Sequence, residues 1–285
     1  MLSRASHAAS MAVSSCLFGM VRSEFCVSLG YTGIQQSAQC ANLALLDFAM
    51  RRAIVYASQI MPEVTMSIFK ISGVTLDLPD EILSPDLINW LKSGRYELQE
   101  SRALTEFVKP EDVVMDIGAG VGFVSMLAAR IVGGQNVIAI EANPKLLPIL
   151  ERNFALNGVS GATLLNFAVV ANGEPQATLY LNRAFWASTT LAPNTPNAGV
   201  EVPAVSLEAL TAEWQPTVVV CDVEGSEKDF FQAPLPPCVR LIILELHPKK
   251  YSTQAFDTIL ARLATIGFAY VLFDTPDDVV CFARP

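Results

Sequence analysis

Residues 113–125, VVMDIGAGVGFVS, place a carboxylate, Asp116, just before three closely spaced glycines, Gly118, Gly120 and Gly122. Glycine lets a backbone turn sharply and come close to a ligand, as the first strand-to-helix turn of an open α/β sheet does around a nucleoside. A second carboxylate, Glu141, ends the next apolar run, VIAIE. Further along, Asp222 and Glu224 follow the run TVVVC, and Glu245 and His247 follow LIIL. Carboxylates and an imidazole at strand ends can hold a cation or take up a proton.

The type of ligand follows from what the glycine loop lacks. A dinucleotide loop reads GxGxxG, but counting from Gly118 puts Gly120 third and Phe123 sixth, so the last glycine is missing. A P-loop needs Gly-Lys-Ser or Gly-Lys-Thr, and neither follows. Asp116 would repel a pyrophosphate but would suit a cation. S-adenosylmethionine has a sulfonium, an α-amino group and no phosphate. Asp116 can hold its aminoacyl end directly or through water, and Glu141 can accept from both ribose hydroxyls. Asn143, which opens the next helix, Asp222, at the strand end where open α/β sheets place ligands, and Phe167 and Ala168, at a strand end where an adenine would lie, complete the expected cofactor pocket with Gly118, Gly120 and Gly122. A competing reading makes Asp116 and Glu141 helix caps and Phe167 plain core.

The composition restricts the partners. The chain has 285 residues, 52% of them hydrophobic, and a formal charge of −9. Such a charge disfavours nucleic acid and anionic membrane surfaces and fits a small or neutral partner. Six cysteines with no CxxC pair and two histidines give no zinc site and no recognisable metal-ligand spacing. Scattered thiols suit a reducing, cytoplasmic compartment. Residues 1–65 read as an extension, partly helical over 39–61 or disordered. Arg4 and the apolar run 11–21 have the outline of a signal peptide, but no clean cleavage site follows, and the run is too short to span a membrane. A start at Met61 or Met66 is the alternative origin of the extension.

From residue 66 the elements are regular. A hairpin over 66–79 and a capped helix over 84–94 form an entry or lid segment, 66–110. Strands are expected at 113–117, 136–140, 163–167, 217–221, 239–244, 269–273 and 279–283, with helices at 122–131, 144–157, 226–232 and 253–265. Alternation of this kind specifies an α/β fold, a mostly parallel sheet with helices on both faces. The short DTPDD link predicts an antiparallel C-terminal hairpin at the edge. Residues 172–203, rich in Pro, Asn, Thr and Gly, read as an insertion with one or two short strands.

Together DIGAGVGFVS, EANPKLLPILERNFALNG, NFAVVANGE and DVEGSEKDFF resemble the FkbM family of S-adenosylmethionine-dependent methyltransferases, from about residue 76 to the C-terminus. The runs DVEGSE (222–227) and LELHP (244–248) are the most particular, and GRYELQE (94–100) is similar to the family's entry motif. Where the family commonly has lysine two positions before the DVEG aspartate, this chain has Val220. The resemblance implies a Rossmann-like methyltransferase fold and methyl transfer to a hydroxyl of a sugar or other small polyhydroxylated acceptor. It also implies that Tyr96 and Glu97 close over the aminoacyl end of the cofactor. An alcohol acceptor must lose a proton, and Asp222, Glu224, Glu245 and His247 are the candidate bases. His247 reads equally as a cap before Pro248. Glu227 reads as a helix N-terminal residue serving the macrodipole, and Trp186, Ser188 and Thr189 as acceptor contacts. The rival functions are a non-catalytic cofactor-binding domain and an NAD-dependent oxidoreductase.

Overall fold

The computed structural model describes residues 65–171, 173–182, 188–192, 199–247, 249–271 and 278–285. The expected extension up to residue 64, Trp186, Pro248 and the turn 274–277 lie outside the described residues.

The chain opens with an antiparallel hairpin, β1 (Met66–Ile71) and β2 (Val74–Pro79), and two helices, α1 (Pro85–Ser93) and α2 (Leu98–Phe107). Ser84 caps α1 by accepting from the Leu87 N–H, and Gly94 ends it in the left-handed region. Then follow β3 (Val114–Ile117), α3 (Phe123–Val132), β4 (Val137–Ile140), α4 (Leu147–Leu156) and β5 (Thr163–Leu165). A second sheet uses β6 (Ala168–Val170), β7 (Gln176–Tyr180) and β8 (Gly199–Ser206). The chain returns through α5 (Leu207–Trp214), β9 (Val218–Cys221), β10 (Leu241–Glu245), α6 (Thr253–Thr265), β11 (Ala269–Val271) and β12 (Val279–Ala283).

The main sheet runs β11-β12-β10-β9-β3-β4-β5, parallel except for β12. Successive strand residues alternate between two cores. Val114, Val218, Val220, Leu241 and Ile243 pack with the hairpin and α1 to α4. Met115, Ile117, Val219, Cys221, Ile242 and Leu244 pack with α5 and α6. The order reverses between β3 and β9, so a crevice opens at their carboxyl ends, where such sheets bind ligands. No helix among the described residues is long and apolar enough to cross a membrane.

Several expectations are corrected. The strand expected over 163–167 stops at Leu165, because Asn166 donates to the Glu141 carbonyl and the chain leaves for the second sheet. The helix expected over 226–232 is a single 3-10 turn, Ser226–Asp229. Phe231 is in the left-handed region, Phe230 and Phe231 are both buried, and Pro234, Pro236 and Pro237 follow, so no helix can continue. The antiparallel C-terminal hairpin expected at the edge is there: β11 pairs antiparallel with β12 and is outermost, and β12 lies between it and β10. Helices α2 and α5 were not expected from the sequence.

Asparagines of α4 and the turn after it join three elements. Asn153, fully buried, accepts from the Asp77 N–H at 2.8 Å and donates to the Val121 carbonyl in the glycine loop at 2.9 Å. Asn157 accepts from the Thr75 N–H and donates to the Thr75 carbonyl, so it pairs with β2 as a further strand would. Asn153→Ala leaves a donor on β2 and an acceptor in the glycine loop without partners. It should lower the unfolding free energy by about 2–4 kcal/mol in denaturant titration; a loss below about 0.5 kcal/mol would contradict this clamp.

Candidate active site

The glycine loop is shaped by close approach. A Cβ on Gly118, at φ 90°, would lie 1.7 Å from the Asp222 carbonyl oxygen, so the ends of β3 and β9 can meet only with glycine there. The Gly118 and Ala119 N–H groups both donate to the Ile140 carbonyl at the end of β4. Gly122, at φ 89°, stands at the N-terminus of α3 rather than in the crevice.

Glu141 closes the loop. Its Oε2 accepts from the Gly120 N–H at 2.8 Å and its Oε1 from the Asn143 N–H at 2.7 Å. Asn143 itself is buried and accepts from the Lys145 N–H. Asp116 accepts from the Ser125 hydroxyl on α3, a partner the sequence reading missed although it ends the same motif.

These ends surround a cleft with about 910 Å³ of space, including its open mouth. Six carboxylates line it, Glu97, Glu100, Asp116, Glu141, Asp222 and Glu224, and among the described residues no lysine or arginine does. Ile140, Leu146, Phe167 and Ala168 supply an apolar wall. Gly118, Gly120, Tyr96, Ser188 and Thr189 also border it, whereas Gly122, Asn143, Glu245 and His247 lie outside the lining. Glu97 and Glu224 are in the left-handed region, φ 49° and 55°, a strained conformation for glutamate that is often found at functional sites. Tyr96 is buried and packs at a tilt on Phe123, ring centres 5.6 Å apart. Phe123 thus fills the position a dinucleotide loop leaves to glycine.

Burial sets the electrostatics. Loss of water pushes the Asp116 carboxyl up to about 6 and Glu141 up to about 7, against their hydrogen bonds. Val220 is the β9 neighbour of Asp116 and brings no cation. Glu97 lies well above the carboxylate range through burial and the charges of Glu100, Asp222, Glu245 and Asp116. Asp222 is likewise raised by burial and by Glu245, which itself is pushed up to about 8 by burial and Glu100. Asp222 Oδ1 is buried and accepts no hydrogen bond among the described residues.

His247 stands behind Asp222 and Glu224. Its Nε2 is 3.6 Å from Asp222 Oδ1 and 3.4 Å from Glu224 Oε2, and Lys250 pairs with Glu224 from the rim. Its Nδ1 faces Glu227 at 3.1 Å. Burial alone would lower the imidazole, but the hydrogen bond to Glu227 and the charges of Asp222, Glu227 and Glu224 outweigh it and raise it above its ordinary value. Asp222, Glu245 and His247 each bring one atom within 4.8 Å of the others. They come from two strand ends, so no local spacing announces them; a cationic group of a ligand could bridge them, and no ion is assigned there. Sequence reading also missed Glu100, and Thr190 with Ser226, whose hydroxyls meet at 2.5 Å on the cleft wall.

A family model described as the methyltransferase FkbM domain matches residues 116–270. No curated protein matches the chain. Among solved structures, TYW2 of M. jannaschii in complex with AdoMet shares 14% identity and a TM-score of 0.43, covering 79% of this chain and 90% of that one. Precorrin-6y C5,15-methyltransferase of Geobacter metallireducens shares 17% and 0.38, covering 66% and 88%. The ribosomal protein L11 methylase of Lactobacillus delbrueckii subsp. bulgaricus shares 17% and 0.39, covering 67% and 79%. Likeness at this distance carries nothing about the acceptor.

The raised carboxyls have a pH signature. Asp116 and Glu141 hold their protons to about 6 and 7 when folded, against ordinary values of 3.8 and 4.5. Between those limits the folded chain binds more protons than the unfolded one, so rising pH removes stability until both are ionised. Glu141→Gln, neutral throughout, should therefore gain in Tm relative to the ligand-free wild type as pH rises from about 5 to about 8. A difference that does not change with pH would contradict the burial effect.

Proposed function

The chain belongs to the FkbM family of methyltransferases, with S-adenosylmethionine as methyl donor, and we propose that it methylates a hydroxyl of a sugar or other small polyhydroxylated acceptor in the cytoplasm. The observation that carries this reading is the lining of the cleft: six carboxylates and, among the described residues, no lysine or arginine. Such a wall attracts a sulfonium and an ammonium and repels phosphates. It supports a neutral acceptor over a nucleotide, a phosphosugar or nucleic acid, as does the charge of −9. A cytoplasmic location is also consistent with Cys221, Cys238 and Cys281 being free thiols.

The residues fit the donor by type. Asp116 and Glu97 are the groups to hold the aminoacyl end, beneath Tyr96. Glu141 keeps lone pairs beyond those its two backbone N–H partners use, and these can accept from ribose hydroxyls. Phe167, Ala168, Ile140 and Leu146 offer the apolar surface an adenine needs. When bound, the donor supplies a methyl already activated as a sulfonium, so the chain has to align the acceptor and receive one proton.

Asp222 and Glu224 line the cleft at the switch point, and His247 and Glu245 stand within reach behind them. With the acceptor hydroxyl held in line with that methyl, this cluster would receive the hydroxyl proton and pass it to solvent. Burial and Glu245 raise the Asp222 carboxyl, and Glu227, Asp222 and Glu224 raise the His247 imidazole, which favours the proton-bound form of each.

Release of S-adenosylhomocysteine from S-adenosylmethionine, with neutral methyl hexosides against their 6-phosphates, tests the acceptor class. Turnover with the neutral sugars alone is expected, and turnover confined to phosphorylated sugars or RNA would overturn the reading. Asp116→Asn and Glu141→Ala should each weaken S-adenosylhomocysteine binding by about tenfold or more, the loss of one charge-assisted hydrogen bond, with circular dichroism unchanged. Unchanged affinity in both would overturn the pocket assignment.

A further inference from the structure

Glu227 was expected to serve a helix dipole, yet the helix is one 3-10 turn and the side chain points elsewhere. It is fully buried and both oxygens are anchored. Oε2 accepts from the Gly225 N–H at 2.7 Å, in the loop after β9. Oε1 accepts from the His247 backbone N–H at 3.1 Å, in the loop after β10, and faces His247 Nδ1 at the same distance. The Tyr251 hydroxyl shares the His247 N–H at 2.8 Å. The carboxylate therefore cannot turn away from the imidazole without releasing two backbone donors.

An ionised carboxylate only accepts hydrogen bonds, so the ring nitrogen it faces must carry the proton. A bare Nδ1 would set two lone pairs against each other at 3.1 Å in a buried site, whereas Nε2 stands off at 3.4 and 3.6 Å from Glu224 and Asp222 and makes no hydrogen bond to either. With Nδ1–H donated to Glu227, the neutral ring keeps its lone pair on Nε2, the atom turned to Asp222 and Glu224. We propose that Glu227 is a positioning residue: it fixes the Nδ1–H tautomer of His247, so that Nε2 receives, through the carboxylates lining the cleft, the proton the acceptor loses. This rests on the reading of the Asp222–His247 cluster as the proton sink. The groups that face His247 are Glu227 and Tyr251 on the Nδ1 side and Asp222, Glu224 and Glu245 on the other, with Lys250 pairing Glu224.

The chain has only two histidines, His7 and His247, so ring-nitrogen NMR of the 15N-labelled full-length protein reads this tautomer, with His7→Gln for assignment. Titrated to the neutral ring, the wild type should show a protonated Nδ1 and a bare Nε2. Glu227→Gln, whose amide can donate to Nδ1, should lose that preference and lower the titration midpoint of His247. Glu227→Asp, which keeps the charge, should retain part of both. A purely structural role for Glu227 predicts neither the tautomer change nor the rescue. A wild-type ring protonated on Nε2 overturns the proposal even if the glutamine variant fails to fold, as does an Nδ1–H preference that survives in a folded Glu227→Gln. Full turnover of His247→Ala with the neutral hexosides would instead remove the proton-sink reading and the purpose assigned to Glu227, while the tautomer result would still report the contact.

Discussion

Carboxyl groups held in a half-dry cleft that no arginine or lysine lines among the described residues are the constraint on which the rest depends. Elsewhere the chain neutralises a buried carboxylate when its task is structural. Asp112, below β3, takes hydrogen bonds from Arg240, the Lys109 N–H and Thr217, and these outweigh burial and hold its carboxyl below the ordinary value. At the other end of the same strand Asp116 has a serine hydroxyl and an apolar neighbour, Val220, and burial carries its carboxyl upward. One end is neutralised by the chain itself, and the other suits a cation from outside.

The scaffold makes that arrangement possible by bringing backbones, more than side chains, into contact. Gly118 admits the Asp222 carbonyl, Ile140 accepts from two loop N–H groups, and Asn153 ties the loop to the hairpin. The carboxylates then sit at or just beyond the ends of β3, β4 and β9 and at the start of α2. Glu97 and Glu224 are held in left-handed backbone that glutamate does not favour, which the surrounding packing must sustain. Preorganised charge of this kind needs little rearrangement when a ligand or a developing charge arrives.

Much of this was legible in the sequence wherever the signal is local. The strand, glycine loop and helix of 113–132 follow from apolar periodicity and glycine spacing, and Asp116 and Glu141 share the cleft because parallel strands end at one side of a sheet. The family resemblance added Glu97 and Tyr96, which periodicity does not single out. What escaped depends on distant partners. Helix α2 buries Gln99 and Glu100, so its apolar spacing is broken. The 163–170 stretch divides between two sheets, and β12 enters beside β10, choices made by tertiary packing. Glu227 and His247 lie 20 residues apart on separate loops, and only the fold sets carboxylate against imidazole.

The central claim is that the cleft selects a cationic, phosphate-free nucleoside. Calorimetric titration of the full chain with S-adenosylhomocysteine, 5′-deoxy-5′-methylthioadenosine and NAD tests it most directly. The account predicts that S-adenosylhomocysteine binds most tightly, that loss of the aminoacyl group weakens binding, and that NAD does not bind. NAD binding as tightly as S-adenosylhomocysteine would contradict it.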